Sequence, residues 1–573
     1  MNASRGILFV GLALALAACG QQATVPASPA PSSVSAQATS TTRTYLVGFK
    51  PGQGTNTDAI RKAGGQLRRA FTRIEAASAT LTPAQATKLA ADPSVEYVEL
   101  AVVRRDDNYV TSDGTVLGKP GGQQGGLNVN WKPSGEFTYG NIALGVPTLH
   151  AQQYTGSGIA VCIGDTGIDA NHPEFAGRLK GYKNFMNDQR DSAYELNDLS
   201  HHGTHVAGTI FAQYGVGSNL GPTGMDARGI GGVAPGVNLY MARVLGDDGS
   251  GSSEGVVEGV NWCVSQLASQ SGVNQERHMV INLSLGSDEG SKTEKRAFQA
   301  AYDAGALVVA AAGNDGVKLP HYPSDYPSVI KVGAVDNLGN LADFSNYNSK
   351  QELVAPGVAV LSSVPVGTGL AASASAAGVA AYQSVNPFEF AAATSVTNMP
   401  IVAAGGANNQ FCEAGAVNSA LEGRIALISR GSCAFAVKVA NAVASKAAAV
   451  IVYNNVAGPL SSVTLGSQQA IPVVGITQAD GEATLAAAQQ GTVTGSVSIY
   501  ASDYEYFNGT SMATPHVAGA AAVVWAAKPN LSNAELRALL SATATDLGPN
   551  GRDNFFGNGL VNPAAAIAAA GKR

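Results

Sequence analysis

Apolar positions change their period several times along this chain. From Tyr139 onward, short apolar runs end in Gly, Asp or Asn: GIAVCIGD at 158–165, NLYMARVLG at 238–246, MVINLSLG at 279–286 and ALVVAAAGN at 306–314. Helical stretches such as GVVEGVNWCVSQLA and TEKRAFQAAYDAG separate them. Nearly continuous apolar strands between helices predict a parallel sheet covered on both faces, an α/β doubly wound fold. Sites in such sheets gather beyond the carboxyl ends of the strands.

Two segments break this pattern. Residues 43–104 read as a small α+β unit. TYLVGF is a strand, TDAIRKAGGQLRRAF a glycine-interrupted helix, AASATLT a strand, TPAQATKLAAD a Thr-capped helix and VEYVEL a last strand. That β-α-β-α-β order fits part of a ferredoxin-like layout. Arg68, Arg69 and Arg73 give the unit a basic bias. Residues 105–138, rich in Gly, Pro, Asp and Asn, are expected to be an exposed linker. Residues 369–498 open on a small-residue run and carry their own strand–loop–helix–strand pattern, GRIALISRGSCAFAVKVANAVASKAAAVIVYNN. The earlier pattern returns only near Tyr504, which predicts an insertion between two parts, 139–368 and 499–573, of one larger domain.

Composition adds little to this and excludes some functions. The 573 residues carry a net charge of −6 and no basic cluster, so nucleic-acid binding is not expected. Residues 1–18 read as a signal peptide, with Arg5 ahead of the apolar run Ile7–Ala18. The ending LAAC resembles a bacterial lipoprotein signal, in which Cys19 would be lipidated; an ordinary signal cleaved nearby would instead release a soluble protein. Residues 19–42, rich in Pro, Ser and Ala, form a tether. Four cysteines remain, and three pairings are open to them. Cys412 with Cys433 comes first because both lie in one segment, and Cys162 reads as an inert buried thiol. No HExxH, CxxC or EF-hand spacing supports a catalytic metal.

Four polar residues fall where the sheet rule directs attention. Asp165 and Asn314 end apolar strands, and His202 and Ser511 stand at the starts of helices. Each alone would pass for a turn or cap residue. Together they suit acyl transfer: a serine hydroxyl needs a base, and a carboxylate fixes the imidazole tautomer. An amide N–H, with the serine backbone N–H, binds the oxyanion.

DTGID at 165–169, HGTHVAGT at 202–209, AAAGN at 310–314 and GTSMATPHVAG at 509–519 resemble the subtilisin-like serine proteases, in that family's Asp…His…Ser order. The resemblance implies Asp165 as orienting carboxylate, His202 as general base, Ser511 as nucleophile and Asn314 as oxyanion donor, with the Ser511 hydroxyl facing His202. INLSLG at 281–286 is similar to the segment that pairs with extended substrates, so Ser284, Leu285 and Gly286 are expected to bind substrate. His321 aligns near the floor of the specificity pocket, where a small residue is usual. Glu174, in HPEF, matches a place where many relatives ligate a structural calcium; the triad itself needs no cofactor. Residues 43–104 resemble an inhibitor-type propeptide. Residues 369–498 resemble a protease-associated (PA) domain through RGSCAF, KVANAVASKAAAVIVYNN and IPVVGI. The implied protein is a secreted endopeptidase made as a zymogen, acting on proteins and peptides. Cleavage after 104 would also cut it from any lipid anchor at Cys19. The nucleophile stretch GTSMA is not the GxSxG elbow of esterases.

Overall fold

Seven strands form the main sheet, in the order 353–356, 329–335, 306–311, 279–283, 160–165, 238–243, 179–184, and every neighbouring pair is parallel. The computed structural model describes residues 41–106, 109–111, 126–130, 132–175, 177–195, 197–268 and 274–570. The signal segment 1–18, nearly all of the tether and much of the 105–138 segment lie outside these residues.

Successive strand side chains point to opposite faces, and both faces of this sheet are covered. Val161 and Ile163 face the helices His202–Phe211 and Thr510–Ala527, in one core with Val309 and Val517. Between them, Cys162 faces the other way, toward the helix Ser253–Ser265. There it forms a disulfide with Cys263, so Cys162 is not the free thiol expected from its apolar strand. Its place in the core is the expected one; the tertiary fold supplies a partner 101 residues away.

The unit at 43–104 has an antiparallel sheet ordered 66–71, 76–81, 43–49, 95–100. Its first helix, Thr57–Ala63, stops at Gly64, whose φ of 88° suits glycine and few other residues. Gln66–Phe71 is consequently a strand, not the continuation of a helix, and the unit has the full β-α-β-β-α-β order. Its second helix, Pro83–Ala90, begins with the Thr82–Gln85 capping box. Leu46, Phe71, Ile74 and Ala76 on its outer face pack on Val257 and Ala297, from the helices Ser253–Ser265 and Lys292–Asp303.

The insertion folds around its own core, with Leu427, Val439 and Val450 at the centre. Its seven-stranded mixed sheet closes with Val493–Ser502, so it ends at Ser502 and not at 498. Cys412 and Cys433 are joined within it, as expected.

Candidate active site

Asp165 ends the central strand Ala160–Asp165, and its Oδ1 takes the Thr166 backbone N–H at 2.7 Å. The same oxygen lies 2.7 Å from Nδ1 of His202, the first residue of its helix. Both side chains are fully buried. Burial alone would lower the imidazole pKa. The Asp165 carboxylate outweighs that, Asp106 and Asp198 add to it, and the pKa is pushed up to about 9. An imidazole anchored through Nδ1 presents Nε2 as its exchangeable nitrogen.

Ser511 is the second residue of the helix Thr510–Ala527. Its Oγ donates to the Ser284 carbonyl at 3.0 Å, while the Ser284 hydroxyl donates to the Ser511 carbonyl at 2.8 Å. One half of this pair, the bond to the Ser511 carbonyl, is open because of Pro515. Pro515 sits in the second turn, not the first, and has no N–H to offer the Ser511 carbonyl four residues back. The Ser511 hydroxyl itself turns toward the Ser284 carbonyl, and not, as was expected, toward His202. Rotation about Cα–Cβ is the motion that would redirect it.

Asn314 follows the strand Ala306–Ala311, and its Oδ1 accepts from the Thr510 N–H and hydroxyl, both at 2.9 Å. Holding the amide by its oxygen turns its nitrogen end away from Thr510, a donor fixed beside the start of the Ser511 helix. His321 is buried against Gly286 and Gly313, where any larger side chain would collide with its ring. His205 and His516 point away from the site, toward backbone carbonyls. Burial lowers their pKa values to about 3 and about 4.

A stretch of the chain itself runs through this site. Val103–Asp106 lies between Leu285–Gly286 and Ser250–Ser252, antiparallel to both, with Asp106 opposite Leu285 and Arg105 opposite Gly286. Beyond it, the Tyr109 N–H donates to the Asn508 carbonyl at 2.8 Å, and Tyr109 stacks on Phe344. Thr111 then bonds both Ser462 and Thr464 of the insertion. The expected exposed linker is thus partly built into the molecule. VRRD carries no apolar alternation, so only its pairing with 285–286 and 250–252 makes it a strand.

Glu174 does not fit a calcium ligand set. Its Oε1 accepts from the Ile230 N–H at 2.8 Å and the Tyr504 hydroxyl at 2.7 Å, and burial pushes its pKa up to about 8. Such a carboxyl is favoured in its neutral form. Among the described residues no group of three His, Cys, Asp or Glu side chains is placed to hold a metal ion.

Comparison with known proteins agrees with this architecture. The subtilase family model matches residues 156–395 and 440–559. Subtilisin NAT of Bacillus subtilis subsp. natto is 34% identical over 349 residues, 59% of this chain and 78% of that protein. Alkaline elastase YaB of Bacillus sp. (strain YaB) is 31% identical, over 64% of this chain and 83% of its own. Among solved structures, the psychrophilic subtilisin-like protease Apa1 from Pseudoalteromonas sp. AS-11 aligns with TM-score 0.58 and 30% identity, over 77% of this chain and 99% of that one. Fervidolysin from Fervidobacterium pennivorans, at 24% identity, shares the fold over 92% of this chain and 61% of its own, with TM-score 0.56. The chain belongs to the subtilase family and is a serine endopeptidase.

Proposed function

We propose that this chain is a secreted endopeptidase made as a precursor that cleaves itself between residues 106 and 109. The observation that carries this reading is the chain's own path. Asp106 lies opposite Leu285, next to the Ser284–Ser511 pair, and Tyr109 bonds Asn508, three residues before Ser511. Both described ends of this short segment are thus held by neighbours of the serine, one by Leu285 beside Ser284 and the other by Asn508.

In this reading Ser511 Oγ attacks the peptide carbonyl and its proton moves to His202 Nε2. Asp165 holds the imidazole tautomer and stabilises the imidazolium. The tetrahedral oxyanion accepts from the Asn314 amide and the Ser511 backbone N–H. His202 then gives the proton to the leaving amine, and water repeats the sequence on the acyl-enzyme. Ser284, Leu285 and Gly286 hold the substrate strand through backbone bonds that read no particular sequence. His321 reduces the depth of the specificity pocket. No step requires a metal or an organic cofactor.

Residues 43–104 act as the inhibitor. Arg68 pairs with Glu254 at 2.9 Å, Arg69 with Glu258 at 2.7 Å, and Glu99 binds the start of the helix Lys292–Asp303. While they stay docked, 103–106 fills the groove a substrate needs. The insertion acts as a PA domain whose 462–464 edge extends the groove on the leaving-group side. Export rests on the leader sequence at 1–18. If Cys19 is lipidated, self-cleavage also detaches the enzyme from the cell envelope.

A fluorophosphonate probe tests the chemistry. The matured protein should label at Ser511, digest casein and lose both properties as Ser511→Ala. Labelling that survives the substitution, or hydrolysis of short-chain esters without casein digestion, would refute it.

A further inference from the structure

The cleft strand Val103–Asp106 buries one of its side chains completely. Arg104 is 0% exposed, whereas Val103 beside it is 53% exposed and Arg105 is also exposed. The Arg104 guanidinium enters a closed polar cage. Its Nε lies 3.0 Å from Glu294 Oε1 and its Nη2 2.5 Å from Glu294 Oε2, a two-point fork on a carboxylate that is itself fully buried. Nη1 donates to the Glu289 carbonyl at 2.9 Å and to the Ser287 hydroxyl. The Tyr326 hydroxyl, 3.0 Å from Glu294 Oε2, completes the wall. Glu294 is held in place from its own helix, its N–H accepted by Ser291 Oγ at 3.2 Å.

This cage opens off the groove formed by Leu285–Gly286 and Ser250–Ser252. Strand side chains alternate, so any peptide laid in that register sends one side chain into it. With the residue opposite Leu285 placed one before the acyl residue, the caged side chain lies three residues before the acyl residue. A carboxylate fully buried at the base of a pocket is costly when unpaired, and a planar five-donor guanidinium matches it better than an ammonium does.

We propose that Glu294, with Ser287, the Glu289 carbonyl and Tyr326, forms an arginine-selective subsite. It makes the enzyme prefer substrates with arginine three residues before the residue whose carbonyl is attacked. The inference rests on the endopeptidase reading above and adds its sequence selectivity. Leucine or alanine at that position leaves Glu294 without its partner. Lysine supplies the charge without the fork.

The test uses matured enzyme and internally quenched peptides spanning the sequence 103–111, with Arg, Lys, Leu or Ala at the position of Arg104. The Arg peptide should exceed the Leu and Ala peptides in kcat/KM by about tenfold or more, with Lys between them. Alanine at the position of Arg105, whose side chain is exposed, should change kcat/KM by less than about twofold. Glu294→Gln should bring Arg and Leu to within about threefold of each other. The wild-type comparison stands even if that variant fails to mature. Equal cleavage of the Arg and Leu peptides by wild-type enzyme would overturn the subsite and leave the endopeptidase reading intact. Failure to cleave any peptide would overturn both.

Discussion

Glu99 gives the most quantitative handle on how residues 43–104 hold the enzyme. Its carboxylate accepts from the Lys292 N–H at 3.0 Å, the Thr293 N–H at 2.9 Å, and the Ser291 and Thr293 hydroxyls at 2.8 and 2.9 Å. The backbone donors are among those that a helix start leaves without intrahelical partners, and an anion there is favoured by the helix dipole. Glu99→Ala removes every one of these bonds in a single step. Hydrogen bonds to a charged group contribute about 1.5–3 kcal/mol each when buried, but Glu99 is only half-buried and water can replace it at the helix. Discounting for that gives about 2 kcal/mol in all, which is about 30-fold in affinity. The assay is the inhibition constant of a 41–106 fragment added to matured enzyme, measured for the wild-type fragment and for the same fragment carrying Glu99→Ala. A rise of about 30-fold is expected. A change below about twofold would show that this contact does not hold the inhibitor, and the docking would then rest on the Arg68–Glu254 and Arg69–Glu258 pairs and on the packing of Leu46 and Phe71 against Val257.

Asn314→Ala should lower kcat by about 10²–10³-fold with little change in KM, the loss known for a subtilisin's own oxyanion donor and taken over here by likeness; steady-state kinetics on a peptide substrate check it. The carboxylates around His202 outweigh its burial and push its pKa up to about 9, so the neutral imidazole that can act as a base gains population as the pH rises toward that value. Self-cleavage should therefore accelerate from pH 7 to 9, and Asp106→Asn, which removes a carboxylate raising that pKa, should move the midpoint to lower pH in a gel time course. Replacing Cys162 and Cys263 together by Ala should cost about 2–4 kcal/mol, because their disulfide closes a long loop; denaturant unfolding in the Ser511→Ala background measures it.

Four of the seven main-sheet strands were legible because they are apolar on both faces and run up to Gly, Asp or Asn, as at Asp165 and Asn314, whereas Leu179–Asn184 is half-exposed and carries no such pattern. The same rule drew attention to His202 and Ser511, because helix starts share the edge where parallel strands end. Local pattern reached less far where the deciding contact is distant in sequence. Gln66–Phe71 has helical composition, yet Gly64 ends the helix and pairing with 76–81 makes the segment a strand. Cys162 looked like any buried thiol until the helix at 253–265 brought Cys263 to it. Pro515 gave no hint that its missing N–H leaves the Ser511 carbonyl to Ser284. Glu174 sits where a ligand was expected, but Tyr504, 330 residues later, takes its oxygen. Arg104 reads as one more basic residue in VRRD; only strand pairing across the groove delivers it to Glu294.

Self-cleavage by Ser511 is tested with purified wild-type and Ser511→Ala chains, compared by intact mass and N-terminal sequencing after incubation. A new N-terminus at residue 107, 108 or 109 is expected in the wild type, and an uncut chain for Ser511→Ala. A Ser511→Ala chain that processes itself at the same bond, or a wild-type chain first cut elsewhere, would contradict it.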